Sequence, residues 1–240
     1  ALRLARLHGL VPPLARLVNA TAVLLDRTGD LRLRPSAVGP AESVACGAGV
    51  TALIDREGRL STFGANAFGQ CGVGEYSEVV ATPRPVEFAD HSADVVSVAL
   101  GFRHGLALGS DGFVYAFGKN DNGQLGDGSK DSRPALKRVG GALERTECVA
   151  VACGLAHSAA LTKDGRLFSW GKMRDATTSK PSPVSSELPA VHGDALLPVP
   201  VPLTGAGAAR GLACSSFHTV VLDDAGACWV SGLERGSRRT

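Results

Sequence analysis

The chain has 240 residues and a formal net charge of +2, with 25 Lys and Arg against 23 Asp and Glu. So even a balance excludes a chain that as a whole coats nucleic acid. Hydrophobic residues at 44% supply a sizeable core, and 30 Gly with 13 Pro point to short segments joined by tight turns, not to long helices. No apolar run reaches the length of roughly 18 residues that a membrane-spanning helix needs, so none is expected.

Residues 1–13 form a basic segment with Arg3 and Arg6, followed by Arg16, and no acid occurs before residue 26. This Arg-, Leu- and Ala-rich composition is that of a mitochondrial transit peptide, although Pro12 and Pro13 would break a helix there. An intracellular, mitochondrial protein is the expectation, with nucleus or cytoplasm as alternatives. Residues 14–43 hold a degenerate half repeat, in which Leu25, Gly29 and Leu31 match columns of the full repeats nearer the C-terminus.

From residue 44 to residue 232 the chain repeats itself. VACGAGVTALIDREGRLSTFG starts at Val44, VALGFRHGLALGSDGFVYAFG at Val98, VACGLAHSAALTKDGRLFSWG at Val151 and LACSSFHTVVLDDAGACWVSG at Leu212. The units are 44–97, 98–150, 151–211 and 212–232. One column reads Gly47, Gly101, Gly154 and then Ser215; another reads Val50, then His104, His157 and His218. Two more are all glycine: Gly58, Gly112, Gly165 and Gly226, then Gly64, Gly118, Gly171 and Gly232.

Each unit reads as an apolar strand, a second strand, a hairpin turn whose Gly supplies a positive φ, and a third strand. In two units a glycine-rich hairpin comes next, GANAFGQCGVG and GKNDNGQLGDG, and then an extended Pro-bearing segment at 82–86 or 133–139. That is about four strands per unit, the size of a propeller blade, whose faces are buried by stacking on the next. The third unit lacks the hairpin, and its Pro/Ser-rich stretch 173–202 is expected to be a flexible insertion. Residues 233–240 form a basic tail with Arg235, Arg238 and Arg239.

Chemistry is sparse. The histidines recur once per unit, so they are expected to tie strands together by hydrogen bonding, not to catalyse. GQLGDGSK at 123–130 has Ser129 and Lys130 in the reverse of phosphate-loop order and is expected to be a hairpin. Asp121, Asp127 and Asp131 lack the closing glutamate of a calcium loop. Six cysteines without zinc spacing are expected to be reduced and buried. No catalytic residue, metal ligand or cofactor is expected.

The string at 118–128, with Gly101-x-x-His104 and Asp111-Gly112 before it, resembles the repeat of the regulator of chromosome condensation family. The resemblance implies an all-β fold, a seven-bladed β-propeller, of which this chain carries about four to five blades' worth of repeats. The function expected from it is a non-catalytic scaffold or protein-interaction subunit of a larger assembly, in a ribonucleoprotein or chromatin setting. The alternatives are a nucleotide-exchange factor acting on a small Ras-like GTPase and a substrate-recognition module of a larger multidomain protein. Candidate binding residues are Lys119, Asn120, Asp121 and Asn122 in the hairpin. Arg3, Arg6, Arg16, Arg235, Arg238 and Arg239 at the basic ends are candidates for nucleic-acid contact, with solvated tails as the alternative.

Overall fold

A computed structural model describes residues 22–25, 31–34, 41–88, 94–173, 193–203 and 207–232. Two short strands, β1 (Ala22–Leu25) and β2 (Leu31–Arg34), pair within the half repeat. Four antiparallel meanders come after them. Blade 1 is β3 (Ala41–Cys46), β4 (Val50–Asp55), β5 (Leu60–Ala65) and β6 (Val79–Pro85). Blade 2 is β7 (Val95–Leu100), β8 (His104–Gly109), β9 (Val114–Gly118) and β10 (Arg133–Arg138). Blade 3 is β11 (Cys148–Cys153), β12 (His157–Thr162), β13 (Leu167–Met173) and β14 (Gly193–Val201). Blade 4 has three strands among the described residues, β15 (Ala209–Cys214), β16 (His218–Asp223) and β17 (Cys228–Gly232). The one helical element described is a single 3-10 turn, Gly141–Leu143, and no helix is long and apolar enough to cross a membrane.

Local sequence builds each meander. The turn between the second and third strands carries glycine at φ +74° in Gly58, +79° in Gly112, +81° in Gly165 and +84° in Gly226. An Asp or Thr side chain closes the same turn: Asp55, Asp111, Thr162 and Asp223 each accept a backbone N–H two or four residues on. Gly165→Val is therefore expected to cost roughly 1–3 kcal/mol, since a β-branched residue is strained at that φ. Its Cβ would also come within 3.2 Å of Ala208 Cβ. Arg166→Ala loses an exposed ion pair with Asp164 and should cost much less. Thermal melts of the two variants check this, and equal shifts would refute the turn assignment.

Strand alternation sends successive side chains to opposite faces, so one blade can serve two interfaces, as blades 2 and 3 do. Ala52, Ile54 and Leu60 of blade 1 pack against Val98, Ala107 and Phe117 of blade 2. Leu106, Leu108 and Val114 of blade 2 meet Val151, Phe168 and Trp170 of blade 3. Ala159, Leu161 and Leu167 of blade 3 meet Ala209, Val221 and Trp229 of blade 4. The architecture is an all-β, partial propeller.

Two expectations need correction. Residues 193–201, expected within a flexible insertion, form β14, the outermost strand of blade 3. The prolines are the reason: Pro198 and Pro200 sit on an edge strand, where a missing N–H need cost no ladder bond. Residues 174–192 of the insertion lie outside the described residues. All six cysteines are free, but Cys46 and Cys228 are exposed, not buried.

Candidate functional site

Each blade presents two ends. The turns with Gly58, Gly112, Gly165 and Gly226 gather at one end, and the loops after the first and third strands gather at the other, the loop face. There the glycine-rich hairpins of blades 1 and 2 are wired internally. The Asn66 and Asn120 Oδ1 atoms accept the N–H groups of Cys71 (3.0 Å) and Leu125 (2.9 Å). The Gln70 and Gln124 Oε1 atoms accept those of Phe68 (2.8 Å) and Asn122 (3.0 Å). Asn120 is fully buried, and its amide also donates to the Ser129 carbonyl. It belongs to the hairpin's interior and is corrected as a candidate contact residue. The Asn-x-x-Gly-Gln pattern is thus a folding device, in which the Asn and Gln side-chain oxygens accept the hairpin's own N–H groups.

The hairpin also locks one blade to the next. The Gln124 carbonyl accepts both the Ser158 hydroxyl (2.7 Å) and the Trp170 indole N–H (2.9 Å) of blade 3. A hydroxyl has one proton, and Ser158 spends its own there. The His104 Nε2, 3.0 Å from Ser158 Oγ, must therefore carry the hydrogen and donate. Its Nδ1 is buried without a partner, against Gly101. Burial, and after it the neighbouring His157, pushes the His104 pKa down to about 3. The His157 Nε2 repeats the contact with Thr219 Oγ1 of blade 4 at 3.2 Å, and burial, then His218, lowers its pKa to about 4. These histidines are neutral struts between blades, whereas the sequence suggests ties within one blade. The glycine before each is a packing requirement: a Cβ on Gly154 would lie 2.0 Å from His157 Cε1 and 2.7 Å from the Ser215 carbonyl.

Of the acidic run, Asp127 is also structural. Burial works to raise the Asp127 pKa, but hydrogen bonds from Ser129 and the Arg133 guanidinium at 2.6 Å hold its carboxyl well below the usual range. Among the described residues no group of three His, Cys, Asp or Glu is arranged to hold a metal ion.

The loop face keeps a different set of groups at its surface. The Arg103 guanidinium lies 4.6 Å from the ring centre of Phe68 and 5.0 Å from that of Phe102. Lys119 Nζ is 4.9 Å from the Phe68 ring and 2.8 Å from Asp121 Oδ2. Phe102 is 43% exposed, and Phe217, in the matching loop of blade 4, is 42% exposed. Of the sequence candidates, Lys119 and Asp121 belong to this surface, and Asn122 is half-buried beside them. Sequence reasoning missed Phe68, Phe102 and Arg103. Their signal was a residue that departs from its repeat column: Phe68 stands where the next unit has Asn122, Phe102 where the others have Ala48, Leu155 and Ser216, and Arg103 where they have Gly49, Ala156 and Phe217. The basic ends, with Arg3, Arg6, Arg16, Arg235, Arg238 and Arg239, lie outside the described residues.

Stacked antiparallel blades, hydrogen-bonded to each other at the loop face, define a β-propeller. A family model described as the Regulator of chromosome condensation (RCC1) repeat matches residues 57–108 and 111–161, and a second of the same description matches 95–124 and 148–175. The chain belongs to the regulator of chromosome condensation repeat family. It is 31% identical over 198 residues to the human probable E3 ubiquitin-protein ligase HERC6, covering 81% of this chain and 18% of that protein. It is 36% identical over 119 residues to the Regulator of chromosome condensation of Xenopus laevis, covering 49% of this chain and 27% of that protein. The crystal structure of human WBSCR16 superposes with a TM-score of 0.73 at 19% identity, over 88% of this chain and 53% of that one, a likeness of fold. The chain thus spans less than a third of the length of these curated relatives.

Proposed function

We propose that the chain is a non-catalytic propeller module that holds a protein partner on its loop face, as part of a larger protein or assembly. The observation that carries this reading is the cluster of Phe102, Arg103 and Phe68, with Lys119 beside it. Aromatic rings and arginine are the residue types that dominate binding hot spots, and here stacking holds an arginine in place before any partner arrives. The family relationship supports an interaction module, and a probable ligase matched over only 18% of its length is consistent with recognition being one part of a longer protein's work.

The test is quantitative recovery of partners from native cells with the parent protein and with Phe102→Ala and Arg103→Glu variants. Loss of a hot-spot contact worth about 2 kcal/mol lowers affinity some thirtyfold, so recovery should fall at least tenfold at unchanged melting temperature. Equal recovery with all three proteins would refute the loop face as the binding site. Acceleration of nucleotide release from a small GTPase by catalytic amounts of the chain would instead favour the exchange-factor alternative.

A further inference from the structure

The other three blades fold with Gly49, Ala156 or Phe217 in the column of Arg103, so the repeat itself does not demand an arginine there. The Arg103 side chain is half-buried, and its guanidinium lies over two rings, Phe68 of blade 1 at 4.6 Å and Phe102 of its own loop at 5.0 Å. An aromatic face attracts the cation but offers the guanidinium fork no lone pair to bind. Among the described residues Arg103 pairs with no carboxylate. Its N–H donors are thus held in place and left for something else to accept.

The cations in and beside the neighbouring hairpin are neutralised within the chain. Lys119 Nζ, also over the Phe68 ring, is 2.8 Å from Asp121 Oδ2, Lys130 Nζ is 2.9 Å from Asp194 Oδ2, and Arg133 is held by Asp127 at 2.6 Å. With Arg103 and Lys119 positive and Asp121 negative, the cluster carries one net positive charge, bordered by an exposed carboxylate and an exposed ring. A phosphate group, with a charge of about −1.5 to −2, is bound by clusters of cations. Here it would meet a single uncompensated cation and the Asp121 carboxylate beside it. A nucleic-acid backbone would meet the same repulsion. One carboxylate matches both the charge and the planar fork of the guanidinium.

We infer that the loop-face cluster receives an acidic segment of a protein partner, with an Asp or Glu side chain on the Arg103 fork and an apolar neighbour laid on the Phe102 ring. This inference rests on the loop-face reading and specifies the chemistry of its partner. Stacking restrains the Arg103 side chain before binding, so little rotamer freedom is lost when the carboxylate arrives. The rings also keep water from part of the guanidinium, which strengthens its attraction for an incoming anion. A stack that served only to tie blade 1 to blade 2 would leave binding indifferent to the partner's charge, and the experiment separates the two roles.

The test selects a random-peptide display library on the full-length natural protein and measures the affinity of the recovered peptides by fluorescence anisotropy. Each is compared with the same peptide carrying Gln or Asn in place of its Glu or Asp, with a form carrying phosphoserine there, and with a single-stranded RNA oligomer. The expected result is a consensus with an acidic residue beside an apolar one, bound at least tenfold tighter than the amide form, the phosphoserine form and the RNA. Arg103→Gln should weaken the acidic peptide at least tenfold at unchanged melting temperature and leave the amide form as it was. The change on the peptide keeps the test decisive even where Arg103→Gln alters folding. The absence of an acidic consensus, equal affinity of acidic and amide peptides, or tighter binding of phosphoserine or RNA would each overturn the inference. Equal acidic and amide affinities that both collapse in Phe102→Ala would remove the carboxylate and keep the loop face as the site. Peptides bound equally by the parent, Phe102→Ala and Arg103→Gln would remove the loop face and the inference with it.

Discussion

Trp170→Ala is expected to be the most damaging single truncation in the described part of the molecule, lowering unfolding free energy by about 3–5 kcal/mol. The indole is wholly buried in the core between blades 2 and 3. Its N–H is bonded to the Gln124 carbonyl, and Gly126, at φ +68°, is pressed so close that a Cβ there would lie 2.7 Å from Nε1. Truncation therefore opens a cavity at a blade junction and undercuts the hairpin that covers it. Trp170→Phe separates the two contributions. It keeps a ring in the cavity, and the Gln124 carbonyl retains the Ser158 hydroxyl as donor, so the lost bond should cost about 1 kcal/mol beyond the repacking. Urea unfolding monitored by the remaining Trp229 measures both. A Trp170→Ala cost near 1 kcal/mol would mean that this junction is not the tight seam described.

Recurring columns make the blade legible in the sequence, because turn glycines and strand alternation are local requirements written once per unit. Gly58, Gly112 and Gly165 sit at the positive φ values their spacing implies. What the sequence hides lies between units. The contact of His104 with Ser158 spans two blades, so no window within one repeat contains both. It can be found by comparing each histidine position with the next unit's succeeding residue, where Val50 goes with Gly105 and His157 with Thr219. β14 is hidden differently, since Pro198, Pro200 and Pro202 mimic a linker when the strand's edge position is unknown. Asn120 reads as a surface contact because a polar hairpin looks solvated until its internal hydrogen bonds are traced. The stacking of Arg103 on Phe68 is hidden in the sequence because that ring comes from the neighbouring blade.

The histidine struts lead to the second large effect, a loss of stability in mild acid. Unfolded, both rings titrate near the ordinary value of about 6.5. Folded, burial lowers His104 to about 3 and His157 to about 4, so both stay neutral in the native protein where the unfolded chain takes up protons. The unfolded state binds more protons below pH 6.5, and stability is therefore complete above that value and falls as the pH drops through it. From pH 8 to pH 5 each ring should remove about 2 kcal/mol, about 4 kcal/mol together. The four aspartates with lowered pKa contribute little in this range. Asp55, Asp127, Asp164 and Asp223 all lie below an ordinary value of 3.8 and lose their share only in stronger acid. Urea titrations at several pH values between 8 and 5 measure the slope. A His104→Gln, His157→Gln double variant supplies the control, because a glutamine amide can still donate to Ser158 and Thr219 but does not titrate. That variant should be less stable at pH 8, since the amide fills the ring's space imperfectly, yet nearly flat down to pH 5. An equal slope in parent and variant would place the acid sensitivity elsewhere and remove the basis for treating the two rings as neutral struts.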